Sequence, residues 1–132
     1  MNYLLDTNIC SAYIKGDATV WNRFIQYSGG IALSVITVGE LWTWAKRAKH
    51  GQRVHRAVGE FIELVEVIDI DLQVALRFGE LRACMFDAGT RMPDMDALIA
   101  ATALVHNVTL VTHNTVDFQN VEGLRIVDWL NG

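Results

Sequence analysis

Short apolar runs, each too brief for a helix, recur at 3–5, 31–34, 65–68, 109–112 and 125–129, and the last two are rich in β-branched residues. These runs predict five strands. Longer segments between them carry residues at helical spacing, such as Leu72, Ala75, Leu76, Gly79 and Ala83, or Leu98, Ile99, Thr102 and Val105. Strands alternating with helices predict an α/β fold, a three-layer α/β/α sandwich around a mainly parallel sheet of about five strands. Gly29-Gly30, Gly51 and Gly89 punctuate element ends, and none belongs to a phosphate-cradling glycine pattern.

At 132 residues and 52% hydrophobic content, residues 1–132 are expected to form one domain whose core needs neither disulfides nor structural metal. No apolar run reaches the ~18–20 residues of a membrane span, and the apolar start breaks at Asp6, too early for a signal peptide. A soluble, cytoplasmic protein is expected. Cys10 and Cys84 lack knuckle or redox spacing and read as reduced, partly buried thiols. The net charge of −4 argues against a nucleic-acid partner until its distribution is considered. Lys46, Arg47, Lys49, Arg53 and Arg56, with His50 and His55, make a local basic run that is either a phosphate-binding patch or a solvated helical face.

Taken singly, the acids near strand ends have ordinary explanations. Asp6 in Asp6-Thr7-Asn8 suits an Asx turn that caps a helix. Thr37-Val38-Gly39-Glu40 matches a capping box. Asp94 and Asp96 follow Pro93 at a helix start, where negative charge is favoured, and Asp117 falls in a loop after the fourth strand. Taken together they suggest chemistry, because function in an open parallel sheet gathers at the carboxyl ends of its strands. Asp6, Glu40 and Asp117 follow strands one, two and four, and Asp96 opens the helix before strand four. Four carboxylates within ~5 Å would repel by roughly 3 kcal/mol per pair at an effective dielectric of 20, so such a cluster needs a cation. Oxygen ligands favour Mg²⁺, or Mn²⁺, over Zn²⁺.

The segments Leu4-Leu5-Asp6-Thr7-Asn8, Ser34-Val35-Ile36-Thr37-Val38-Gly39-Glu40-Leu41, Asp96-Ala97-Leu98-Ile99-Ala100-Ala101 and Thr112-His113-Asn114-Thr115-Val116-Asp117-Phe118 give the chain a family likeness. It resembles a PIN-domain ribonuclease, specifically a VapC-type toxin of bacterial toxin–antitoxin pairs, along nearly its whole length. The resemblance implies a divalent-metal site, cleavage of single-stranded RNA, tRNA among the candidate substrates, to 5′-phosphate and 3′-hydroxyl ends, a homodimer, and a small VapB-like antitoxin that blocks the site. It places catalytic and metal-binding roles on Asp6, Glu40, Asp96 and Asp117. Asn114 is an alternative fourth ligand or a substrate contact, because many relatives carry an acid there. Asp94 is an auxiliary group or a helix N-cap, and Thr7 and Thr112 are hydrogen-bond partners for the carboxylates.

Trp42 and Trp44 sit two apart on a predicted helix, so at least one is expected to be exposed or at an interface. His113 reads as a surface residue rather than a general base, since a metal-activated water already supplies a nucleophile. Two competing functions remain open. An aspartate-based phosphatase would use Asp6 as nucleophile, but Asp6-Thr7-Asn8 lacks a second acid two residues on. A catalytically inactive RNA-binding or scaffold module would not need all four acids.

Overall fold

The computed structural model describes residues 1–47, 49 and 51–131, and it contains five strands and seven helices. They follow in the order β1 (Tyr3–Leu5), α1 (Thr7–Ile14), α2 (Ala18–Gln26), β2 (Ile31–Ser34), α3 (Val35–Lys46), α4 (Gly51–Glu63), β3 (Glu66–Ile68), α5 (Leu72–Ala88), α6 (Asp94–His106), β4 (Thr109–Val111), α7 (Thr115–Phe118) and β5 (Ile126–Val127). The strands form one sheet in the order β3-β2-β1-β4-β5, and every pairing is parallel. The expected three-layer fold is present, with the last three strands shorter than their apolar runs.

Alternation along the central strands explains the layers, since neighbouring side chains on a strand point to opposite faces. Leu5, Leu33 and Val111 join a core with Ile9, Phe24, Leu41, Val58 and Phe61, beneath α1 to α4. Leu4, Ala32 and Leu110 join a second core with Leu81, Ala97, Ala100 and Phe118, beneath α5 to α7. Each fully buried side chain of this size contributes roughly 1.5–3 kcal/mol. The strand order reverses beside β1, because the chain steps outward from β1 to β3 and then returns to place β4 on the other side. The segments that leave β1 and β4 therefore turn to opposite faces and open a crevice between them.

Helix α5 departs from the sequence pattern. Leu72, Ala75, Leu76, Gly79 and Ala83 all face solvent, while Val74 and Leu81 are the residues it buries. The stripe lies on one helical face, as expected, but that face looks outward. Cys10 is buried, whereas Cys84 is exposed rather than partly buried. Among the described residues no helix is long and apolar enough to cross a membrane.

Candidate active site at the carboxyl edge of the sheet

Asp6 ends β1 and caps α1, with Oδ1 accepting the Thr7 backbone N–H at 2.8 Å. Its second oxygen, Oδ2, accepts the Thr112 hydroxyl at 2.8 Å, from the end of β4. The Asp6 N–H donates to the Val111 carbonyl at 2.8 Å, so strand pairing itself brings these residues together across the crevice. Both oxygens of Asp6 are engaged, which disfavours an attacking carboxylate and with it the phosphatase reading. Burial raises the Asp6 pKa, and the hydrogen bonds from Thr112 and Thr7 oppose the rise.

Glu40 lies in the second turn of α3, where its Oε1 accepts the Thr7 hydroxyl at 2.6 Å. The capping-box match fails here for a local reason: the helix already begins at Val35, and the Ser34 hydroxyl caps it by accepting the Ile36 N–H. Thr37 and Glu40 are thus interior helical residues. The two threonines named from sequence each hold one carboxylate, Thr7 on Glu40 and Thr112 on Asp6.

Asp96 stands in the first turn of α6, whose N-terminus does reach this edge. Burial, then the charges of Asp6, Glu40 and Asp117, push its carboxyl up to about 6. Acids from three other segments thus bear on Asp96. Asp117 is exposed and belongs to the single turn α7 rather than to a loop. Asn114 precedes α7 without a side-chain capping bond, and its backbone N–H donates to the Thr112 hydroxyl at 3.1 Å. Asp94 is not the cap of α6, because Pro93 holds that position; Asp94 instead pairs with Arg82 at 3.3 Å.

A surplus of hard oxygen donors fits Mg²⁺ or Mn²⁺. Among the described residues, however, no three acids, histidines or cysteines are gathered tightly enough to hold an ion as they stand. Asp6 and Glu40 are pinned by hydroxyls, which leaves the adjustment to the half-buried Asp96 and the exposed Asp117.

The basic residues occupy a different place. Lys46 ends α3, about 9 Å along the helix axis from Glu40 at 1.5 Å per residue. Arg47, Lys49, Arg53 and Arg56 are exposed beyond it, and His50 lies outside the described residues. The exposed Trp42 has the Lys46 ammonium 5.2 Å from its ring and His55 edge-on at 4.8 Å, while Trp44 is half-buried.

Sequence reasoning missed two residues of this edge. The Asn8 Oδ1 accepts the His113 backbone N–H at 3.2 Å, and the Asp128 Oδ2 lies 3.0 Å from the His113 Nδ1. Asn8 stood inside a quoted motif, but Asp128 follows β5 with no local signal. His113 is exposed, as expected.

A PIN domain family model matches residues 3–124. The chain is 33% identical to the tRNA(fMet)-specific endonuclease VapC of Shigella flexneri over 130 residues, covering 98% of each. It is 30% identical to Ribonuclease VapC2 of Haemophilus influenzae over 131 residues, covering 98% of this chain and 99% of that one. Among solved structures, DNA-bound VapBC from Salmonella typhimurium superposes with a TM-score of 0.93 at 33% identity, over 98% of both chains. VapBC2 from Rickettsia felis, bound to a promoter DNA fragment, gives 0.91 at 30% identity, over 98% of this chain and 99% of that one.

Proposed function

The chain belongs to the PIN domain family, and from that premise we propose that it is a divalent-metal-dependent endoribonuclease, the toxin of a VapBC-type pair. The observation that carries this reading is the convergence of four acids on one edge, where Thr7 and Thr112 hold Glu40 and Asp6 and the charges of Asp6, Glu40 and Asp117 all bear on Asp96. Asp6, Asp96 and Asp117 would hold Mg²⁺, with Glu40 completing the set or orienting the attacking water. Mg²⁺, when bound, supplies charge stabilisation at the phosphate and lowers the pKa of water. The water oxygen bonds to phosphorus, the bond from phosphorus to the 3′-oxygen breaks, and that oxygen gains a proton, leaving 3′-hydroxyl and 5′-phosphate ends. Thr112 and the Thr7 N–H hold Asp6 while Thr7 steadies Glu40, so each carboxylate keeps its orientation as charge shifts.

The relatives solved as VapBC complexes support a VapB-like antitoxin as partner. The exposed Leu72, Leu76 and Phe86 of α5 offer apolar surface for a homodimer. RNA, with tRNA as one candidate, would run from the carboxylates along α3 to Lys46, Arg47, Lys49, Arg53 and Arg56, with Trp42 able to stack a base on the way.

A cleavage assay on single-stranded and structured RNA tests the activity. Cutting is expected with Mg²⁺ and none with EDTA, and millimolar Mg²⁺ should raise the melting temperature of wild type more than that of Asp6→Asn, since a ligand of the folded state stabilises it. Equal thermal shifts in both proteins would place the ion elsewhere. The basic run has its own test. Replacing Lys46, Lys49 and Arg53 by Gln should raise KM and flatten the salt dependence by about 0.7 in log–log slope per lost contact, with kcat little changed. An unchanged slope would make the run a solvated face.

A further inference from the structure

An ion at the carboxylates would grip phosphate oxygens, which RNA and DNA share, so selection of RNA needs another group at the same edge. His113 is placed to be that group. It directly follows Thr112, the residue that holds Asp6, and its own N–H is fastened to Asn8, next to the Thr7 that holds Glu40. Its ring is fixed as well. Asp128 follows β5 with its side chain only 12% exposed, and its two oxygens accept the Leu130 N–H at 2.8 Å and the Asn131 amide at 2.9 Å in addition to facing Nδ1 of His113.

Asp128 engages Nδ1, which leaves Nε2 as the ring nitrogen open to a further partner. The side chain is 49% exposed, so Nε2 can meet a strand that lies along the carboxyl edge of the sheet. Of the donors on a nucleic-acid strand, the 2′-hydroxyl is the one present on every ribonucleotide and absent from DNA. Building on the nuclease reading above, we propose that His113, oriented by Asp128, hydrogen-bonds through Nε2 to the 2′-hydroxyl beside the scissile phosphate and so selects RNA over DNA.

The test compares an RNA strand with the same strand carrying single 2′-deoxy substitutions on either side of the cut, in cleavage with Mg²⁺ and in binding by fluorescence anisotropy with EDTA. Wild type should favour the ribose form at one flanking nucleotide by about tenfold, the usual worth of one such hydrogen bond. His113→Ala should handle the two strands alike while keeping the wild-type Mg²⁺ shift in melting temperature. Asp128→Ala is the sharper variant. Without the carboxylate that holds Nδ1 the ring loses its orientation, so preference should fall with the imidazole still in place. Retention of the ribose preference in His113→Ala, or a wild type without one in either measurement, overturns the proposal. A wild type that cuts nothing, yet binds with a ribose preference that His113→Ala removes, upholds it and overturns the nuclease reading instead.

Discussion

Asp96→Asn is expected to abolish RNA cleavage, by on the order of a thousandfold or more, the scale of the several kcal/mol that a bound ion contributes to the transition state. The fold should survive, because Asp96 is only partly buried and is held near the other acids by α6 rather than by bonds of its own. Without metal the variant should melt no lower than wild type, since it removes a charge that Asp6, Glu40 and Asp117 oppose. Asp6→Asn is a less clean probe. Both of its oxygens accept hydrogen bonds, and an amide can satisfy only one of those two donors. Wild-type turnover by Asp96→Asn in Mg²⁺ would sink the four-carboxylate assignment.

Acidity should act with comparable force. Asp96 must be ionised to hold a cation, and burial together with Asp6, Glu40 and Asp117 sets its pKa at about 6. At subsaturating Mg²⁺, kcat/KM should fall about tenfold per pH unit below that value, one proton competing with one ion. More Mg²⁺ should move the break to lower pH. Stability without metal should run the other way. The folded pKa lies above the ordinary 3.8, so the folded state binds the extra proton in between. This contribution is complete below about 3.8 and is lost as pH rises through about 6. Melting in EDTA, read as wild type minus Asp96→Asn, should therefore improve from pH 7 to pH 5. A difference that stays flat across that range would mean Asp96 sits in an ordinary solvated setting.

The layers, and the approach of Asp6 to Glu40, were readable because both follow from chain order. Alternating strands and helices imply a parallel sheet, and the carboxyl ends of parallel strands share an edge, so Asp6 and Glu40 had to approach one another. Local pattern misled where a longer-range contact decided the outcome. Thr37 to Glu40 has capping-box spacing, yet the strand ends at Ser34 and the helix starts there, which frees Glu40 for Thr7, 33 positions away. The stripe on α5 has helical spacing but no element covers it, and periodicity alone cannot say which face is covered. The partnership of His113 and Asp128 depends on the two outermost bends of β4 and β5, and nothing in either segment announces the other.

The pairing of β1 with β4 also sets an order of events during synthesis. Tyr3 lies opposite Thr109, and the bond from Thr112 to Asp6 spans 106 positions. Strand β1 must wait for β4, more than a hundred residues later, before the centre of the sheet can close. Non-local pairing of this kind slows folding, because the loop must be closed before its contacts reward it. A nascent chain stalled anywhere before β4 has Asp6 without its hydroxyl partner and β1 without one of its neighbours. The carboxylate edge is thus assembled only once β4 is in place, and chains that end before it lack the hydroxyl that holds Asp6.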